Sequence, residues 1–273
     1  MSIFLYSPKT PTMPFENFPY SFYNIALHTY KPKTALKSGN TQTEKWKAWI
    51  PLLEQVSLQS CVQVLLWDVA ANKFIYQVDK RNIIGHHAGL YLAHDGAAFC
   101  VSNFHPHFFT AIRQCRTTGG EYLLQIQQDA CNAILNVDFL YRRSTGSYMH
   151  CLLQGKCIAA DEDGDPVLIL YYQRDITHLK KEKTLNLVIT TPTRMQWWNY
   201  DFNGNYLERV QPLSKQERKI LTCLADGQSS ACIAKKLFIS LHTVNTHRRH
   251  LLHKTNCTDT TGMITYAKLV GLL

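Results

Sequence analysis

The sequence contains no run of about eighteen apolar residues, the length that a membrane-spanning helix needs. Its N-terminal stretch, MSIFLYSPKTPTMPF, also lacks the basic start and the continuous apolar segment of a signal peptide. We therefore expect a cytoplasmic protein with no membrane partner. At 273 residues with a hydrophobic content of 45%, the chain is long enough for two domains with their own cores, which excludes a disordered protein.

The nine cysteines are odd in number and contain no CxxC pair. Neither a zinc site nor a disulfide framework is therefore expected, and we predict no metal site. Most of the cysteines are expected to be small core residues, and a redox-sensing cysteine is kept as an alternative.

Common catalytic motifs are also missing. The sequence has no P-loop, GxSxG, HExxH or dinucleotide fingerprint, so we do not expect an enzyme. A phosphorylation-controlled receiver would need an acidic cluster, a later aspartate at a strand end and then a lysine, and this order does not occur before Leu213. The acidic group formed by Asp161, Glu162, Asp163 and Asp165 fits a hairpin turn better than a calcium loop.

The last sixty residues carry the strongest positive signal, a pattern of short helices around tight turns. Ser214 and Glu217 form a capping box at the start of the first helix. Ser229 or Ser230 can cap a second helix, and Ser240 can cap a third.

The third predicted helix has one apolar face and one polar, basic face. Val244 and Leu251 fall on the apolar face. The opposite face carries Asn245, Thr246, Arg248 and Arg249. Such a face suits the DNA major groove, where arginine pairs with guanine and asparagine with adenine.

Charge is concentrated in the same segment. From Leu213 to Leu273 there are nine basic and three acidic residues, a net charge of +6 out of +9 for the whole chain. A polyanion is therefore expected to bind at this end of the molecule. A solvated basic helical subdomain is the alternative.

The segment resembles the C-terminal DNA-binding domain of the LuxR/FixJ family of bacterial transcription regulators. The matching residues are Leu213, Glu217, Ile220, Leu221, Leu224, Gly227, Ile233, Ala234, Leu237, Ser240, Thr243, Val244, His247, Lys254 and Ala267. Two positions depart from the family pattern, Gln216 and Thr255.

The resemblance implies double-stranded DNA as the partner and a homodimer formed by a fourth helix at about residues 260–270. By position, it implies base reading by Asn245, Thr246 and Arg249. The expected contacts to the DNA backbone come from Thr243, His247, Arg248, Lys254 and Lys236.

Residues 1–60 are predicted to form an irregular lead-in followed by an amphipathic helix. Thr41 and Glu44 form a capping box, and apolar residues follow at helical spacing from Trp46, with Pro51 near the first turns. This helix is expected to pack on its own domain, and pairing with its copy in a dimer is the alternative.

Residues 61–182 contain two strands, several short helices and then three strands. The two strands form a hairpin around residues 68–73, and turns are expected at 144–146 and 161–166. Between these strands, a helix is predicted from His105 to about Arg116, with a break at Gly119-Gly120 and a second helix through Cys131.

This region resembles a PAS domain in its element order and in several short segments. These are the strand-turn segment at 139–148, the turn at 161–166, the segment at 174–177 and, more distantly, Asn103-Phe104-His105-Pro106. The resemblance implies either a small ligand held between sheet and helices or a docking and relay module. No Asn-Cys-Arg string of a flavin photosensor occurs. No cofactor is predicted, and haem is kept as an alternative because His86, His87, His94, His105 and His107 are possible axial ligands.

Residues 183–211 are predicted to form a structured connector. Asn203-Gly204 is a strong hairpin signal, so residues 197–202 and 205–210 are expected to pair as a β-ribbon. Its aromatic side chains should dock on the sheet or on the C-terminal helices, which would make it a coupling element. A simple spacer is the alternative.

The sequence therefore predicts an α+β protein. A PAS-like antiparallel sheet with flanking short helices would precede an all-α, four-helix helix-turn-helix domain at residues 212–273. We expect a one-component, sequence-specific transcription regulator whose PAS-like domain senses a small ligand or relays a signal. The alternative is a PAS domain that serves only for docking or dimerisation.

Overall fold

The structure is a computed structural model that describes residues 46–161, 166–181 and 183–273. It begins with a short 3-10 helix, Trp46–Trp49, which leads into helix α1, Ile50–Ser60, with Pro51 in its first turn. The buried side chains of Trp46 and Leu53 pack on the first strands of the sheet, as expected of a helix that covers its own domain. The predicted lead-in and the Thr41/Glu44 capping box lie outside the described residues.

A single antiparallel sheet forms the centre of the molecule, with the strand order β2-β1-β5-β4-β3-β6-β7-β8. Its strands are β1 Gln63–Asp68, β2 Lys73–Val78, β3 Ile134–Arg142, β4 Tyr148–Ala160, β5 Pro166–Asp175, β6 Asn186–Thr190, β7 Met195–Asp201 and β8 Tyr206–Arg209.

The first five strands and the helices between β2 and β3 have the element order predicted for the PAS-like region. The helices are α2 Ala88–Leu92, α3 Gly96–Ser102 and α4 Phe109–Ile126, and a 3-10 helix, Gln127–Asn132, leads into β3. The α+β fold class is therefore confirmed.

The predicted helix break at Gly119-Gly120 is wrong, because α4 runs continuously through both glycines. Both are buried, and a β-carbon added at Gly119 would lie 3.6–3.7 Å from side-chain methyls of Ile189, Leu135 and Leu187. A β-carbon would therefore fit at Gly119. The helix continues because its flanking apolar residues Cys115 and Leu123 pack on the sheet, and this packing outweighs the weak helix propensity of the glycines.

The two faces of the sheet belong to different cores. Leu65 and Trp67 point to the face covered by α2, α3 and α4, whereas Val64 and Leu66 point to the opposite face. In the same way Leu153 points to the first core, and Leu152 joins the core of the C-terminal helices. The C-terminal domain therefore packs on the face that α1 covers only at one end.

The predicted ribbon is confirmed, and it extends the sheet. Strands β7 and β8 pair around the Asn203-Gly204 turn, and β6 joins β7 to β3. Trp198 packs into the first core, and its neighbour Trp197 packs into the core of the C-terminal helices. The ribbon thus contacts both hydrophobic cores.

Four helices complete the chain: α5 Lys215–Ala225, α6 Ser230–Leu237, α7 Leu241–Thr255 and α8 Thr260–Leu269. The predicted four-helix arrangement is confirmed. Among the helices that the structure describes, none combines the length and the apolar character needed to cross a bilayer.

Candidate DNA interface

The candidate interface is built on the core that α5, α6 and α7 share. Ile220, Leu221, Ile233, Val244 and Leu251 are fully buried in this core. Because Val244 and Leu251 lie on the inner side of α7, the opposite side of that helix faces outward.

Side-chain caps fix where each of these helices begins. The Ser214 hydroxyl accepts a hydrogen bond from the Glu217 backbone N–H at 3.1 Å, and the Glu217 carboxylate accepts one from the Ser214 N–H at 2.8 Å. Ser229 caps α6, and Ser240 caps α7 by accepting from the Thr243 N–H at 3.0 Å. The predicted capping box and the cap of the third helix are therefore confirmed, and Ser229 is the cap of the second.

The three side chains predicted to read bases lie close together on α7. Asn245 and Arg249 are exposed, and Thr246 is half-buried between them. The Arg249 guanidinium donates a hydrogen bond to the Thr246 hydroxyl at 3.3 Å. This surface offers an amide, a hydroxyl and a guanidinium, which are groups that can bond to base edges in the major groove.

Three of the predicted backbone-contact residues lie on α6 and α7. Thr243 lies in the first turn of α7, where its hydroxyl is 2.8 Å from that of Ser240. Lys236 is exposed in the last turn of α6. His247 is half-buried, and its buried Nδ1 atom has no hydrogen-bond partner among the described residues.

The other two predicted backbone contacts have partners within the protein. Arg248 donates to the hydroxyls of Ser230 at 2.6 Å and Thr260 at 2.8 Å, and so joins the first turns of α6 and α8 to α7. Lys254 donates to the Glu217 carboxylate at 2.9 Å and joins α7 to α5. Both cations therefore help to hold α7 on its scaffold, a role that was not assigned to Arg248 from the sequence.

The carboxylate of Glu217 belongs to this scaffold as well. Its burial acts to raise its pKa, but hydrogen bonds from Lys254 and Ser214 outweigh burial and leave the pKa below its ordinary value. Glu217, His247 and His250 offer metal-ligand atoms within 4.8 Å of one another. An ion bound there would lie beside the Lys254 ammonium, which opposes binding of a cation.

A fully buried ionic network joins the C-terminal domain to the sheet. The Asp138 carboxylate on β3 accepts from the Lys180 ammonium at 3.0 Å, the Tyr266 hydroxyl at 2.7 Å and the Asn186 N–H at 3.1 Å. The ring of His150 lies 3.2 Å from the same carboxylate. Tyr266 comes from α8, so the network reaches from the sheet into the helix-turn-helix domain.

Lys180 occupies the middle of this network. Its ammonium donates to the Thr255 carbonyl at the end of α7 at 2.7 Å and lies 3.5 Å from the centre of the Tyr266 ring. Asn186 donates to the same carbonyl at 3.2 Å and accepts from Asn256 at 3.0 Å. The end of the candidate recognition helix is thus hydrogen-bonded to residues that precede and begin β6.

These contacts set the protonation of the buried groups. Burial acts to raise the pKa of Asp138, but Lys180 and then His150 and Tyr266 outweigh burial and bring the pKa to about 2. Burial, reinforced by the Asp138 charge, raises the pKa of Tyr266 well above its ordinary value. Asp138 is therefore a carboxylate and Tyr266 a neutral donor at neutral pH.

The sequence analysis did not assign this network. Asp138 interrupts the apolar strand pattern of β3, and a charged residue at such a position signals a buried partner. Nothing local identified Lys180 or Tyr266 as that partner.

Helix α8, predicted to form the dimer contact, is only partly covered. Met263, Tyr266 and Ala267 are buried within the molecule, whereas Thr261, Thr265 and Lys268 are exposed. The second set leaves one face of α8 open to solvent.

Comparison with known proteins identifies the C-terminal domain. Residues 211–267 match the family model described as "Bacterial regulatory proteins, luxR family". Within the curated proteins, the chain is 40% identical over 61 residues to the oxygen regulatory protein NreC of Staphylococcus carnosus, a match that covers 22% of this chain and 28% of NreC. The chain therefore spans less than a third of the length of the curated relatives that it matches.

Two solved structures show weaker likenesses. One is the complex of Vibrio cholerae VqmA with ligand and DNA, with a TM-score of 0.27 and 16% identity over 79% of this chain and 85% of that one. The other is the PAS domain of the fruit-fly ELK potassium channel, with a TM-score of 0.35 and 18% identity over 51% of this chain and 100% of that one. The family match, by contrast, makes the C-terminal segment a LuxR-type helix-turn-helix DNA-binding domain.

Proposed function

We propose that this protein is a one-component transcription regulator that binds double-stranded DNA as a homodimer and responds to a small ligand in its PAS-like region. The exposed surface of α7, with Asn245 and Arg249 outward on a capped scaffold, carries the proposal. Because its target would be chromosomal DNA, we place the protein in the cytoplasm.

In this proposal Asn245, Thr246 and Arg249 contact bases. Lys236, Thr243 and His247 contact phosphates, since they lie on the same two helices, α6 and α7, and Lys236 is exposed at the end of α6. Arg248 and Lys254 add positive charge near the DNA and mainly fix the position of α7.

We assign the dimer contact to the exposed face of α8 and the coupling role to residues 183–211. The ribbon contacts both cores through Trp197 and Trp198, and the Asp138 network ties β3 to the end of α7. A shift of the sheet on ligand binding would therefore move α7 and α8 together, and would change the spacing of two recognition helices in a dimer.

Selection of duplexes from a random pool with the full-length protein tests the DNA-binding part of this proposal. Binding of a selected and a scrambled duplex is then followed by fluorescence anisotropy over a range of salt concentrations. We expect the selected duplex to bind at least a hundredfold more tightly and both affinities to fall with salt. If the protein binds no duplex at low ionic strength, the proposal that it is a transcription regulator is refuted.

Sedimentation analysis with and without the selected duplex tests the dimer. A monomer that binds DNA with one copy per duplex at all concentrations would contradict it.

A further inference from the structure

A cavity of about 110 Å³ lies between α4 and the inner face of strands β3, β4 and β5. Its walls are mostly apolar and include Leu123, Leu135, Val137, Leu153 and Ile169. An engineered apolar cavity of roughly 150 Å³ in another protein binds benzene, and a single water needs only roughly a tenth of that volume. This cavity is somewhat smaller than that benzene site, so one ring or a short branched chain is the largest apolar group that it can enclose.

This volume favours small occupants. Drug-sized ligands occupy pockets of roughly 300–1,000 Å³, and haem belongs to that class. None of the described residues that line the cavity is a histidine. The possible axial ligands His86, His87, His94, His105 and His107 therefore lie away from this cavity.

One cationic side chain on the wall has a buried nitrogen that finds no acceptor in the part of the chain that the structure describes. Arg116 on α4 lines the cavity, and its Nε atom is buried without a hydrogen-bond acceptor among the described residues. Burial, and next the positive charge of Arg113 one turn earlier, lowers the pKa of Arg116 to about 10. The guanidinium is still charged at neutral pH. Its Nε atom is therefore a buried charged donor beside an apolar space, on a side chain that is otherwise half-buried.

A buried donor without an acceptor is costly, and the cost is removed by an anion that fits the fork of the guanidinium. Lys156 on β4 also lines the cavity, but its side chain is exposed and, by strand alternation, lies on the opposite face from Leu153. Among the described residues, Arg116 is therefore the cation that an anion in the cavity would meet.

We propose that this cavity binds a small organic anion, with an apolar body of one ring or a short branched chain and one carboxylate that pairs with Arg116. This inference rests on the proposed ligand-sensing role of the PAS-like region. It adds the chemical class of the ligand.

The test uses the full-length protein and two pairs of probes, benzoate with benzamide and 3-methylbutanoate with 3-methylbutanamide. Members of a pair have nearly the same shape and differ in charge. Dissociation constants come from ligand-observed NMR titration. We expect at least one carboxylate to bind tenfold or more tightly than its amide, as a charge-assisted hydrogen bond in a buried site implies.

Three variants locate the source of that preference. Arg116→Gln should bring the acid and the amide within about twofold, and Arg116→Lys, which keeps the charge, should retain part of the preference. Arg113→Gln is the matched control, because Arg113 is exposed on the same helix and does not line the cavity. The Arg113→Gln variant should prefer the acid over the amide by the same factor as the unmodified protein. Circular dichroism checks that each variant is folded, and if Arg116→Gln does not fold, the unmodified protein and Arg116→Lys decide.

The inference is overturned if no acid binds more tightly than its amide, if the preference survives Arg116→Gln, or if no probe binds at millimolar concentration. DNA affinity measured without probes separates this failure from failure of the proposed function. If the protein binds DNA sequence-specifically but binds no acid, only the inferred ligand class is refuted. If it does not bind DNA, the proposed function as a transcription regulator is refuted.

Discussion

Replacement of Lys180 by methionine should test how strongly the sheet and the DNA-binding domain are joined. Methionine keeps much of the length of the side chain but removes the ammonium, which leaves the fully buried Asp138 carboxylate without its cation. It also removes the hydrogen bond from the ammonium to the Thr255 carbonyl, which leaves Asn186 and the Cys257 thiol as donors to that oxygen.

The magnitude follows from the burial of both partners, whose side chains are 0% exposed. Removal of one partner of a buried ion pair costs about 3–5 kcal/mol, because the remaining charge stays desolvated. Tyr266, Asn186 and His150 still contact Asp138 and should keep the cost within that range. We therefore expect Lys180→Met to lower the free energy of unfolding by about 3–5 kcal/mol.

Urea denaturation followed by tryptophan fluorescence measures this effect, with Lys180→Met, Asp138→Asn and the double variant as a mutant cycle. The double variant buries no unpaired charge, so it should be more stable than the sum of the two single changes predicts, by about 2 kcal/mol or more. A cost below about 1 kcal/mol for Lys180→Met, or strict additivity in the cycle, would refute the reasoning.

Three further outcomes are expected. The depressed pKa of Asp138, about 2 against an ordinary 3.8, stabilises the folded state above pH 4, and this contribution of about 2 kcal/mol should be lost as the pH falls from about 4 to about 2. Urea denaturation midpoints across that range should therefore fall less steeply for Asp138→Asn than for the unmodified protein. An identical pH dependence of the two proteins would contradict the assignment. Gly96→Ala should strongly destabilise the protein, because the added β-carbon would lie 1.7 Å from the Tyr91 carbonyl oxygen. Gly119→Ala should be neutral or stabilising, because the added β-carbon has room and alanine has the higher helix propensity. Thermal melting compares the two variants, and equal melting temperatures would contradict this account of their packing. Lys236→Ala should reduce the slope of log affinity for DNA against log salt concentration by roughly one, as measured by anisotropy titration. Arg248→Ala should mainly lower the stability of the fold, by about 1–3 kcal/mol in thermal melts, because it breaks the hydrogen bonds to Ser230 and Thr260. The reverse pattern would exchange the roles of the two residues.

The features that the sequence predicted correctly depend on short-range chemistry. The Ser214/Glu217 capping box, the Ser240 cap and the Asn203-Gly204 turn each involve residues within a few positions of one another. Hydrophobic periodicity was likewise enough to place Val244 and Leu251 inward.

The features that could not be predicted from the sequence depend on residues that are far apart in the chain. Asp138 and Tyr266 are separated by 128 positions, and no local pattern relates them. The continuity of α4 through Gly119 also depends on the packing of flanking residues of the helix on the sheet, which outweighs local propensity. Arg248 was predicted to contact the DNA backbone because of its positive charge. Its two hydroxyl partners, Ser230 and Thr260, come from other helices and could not be inferred from the local sequence.

The central claim is that the outer face of α7 reads bases in duplex DNA, and the Arg249→Ala variant tests it most directly. Its affinities for a selected and a scrambled duplex should be compared with those of the unmodified protein at one salt concentration. Loss of a base contact should cost about 1–3 kcal/mol on the selected duplex and leave the scrambled duplex nearly unchanged. Equal weakening on both duplexes, or no weakening on either, would contradict base reading by this helix.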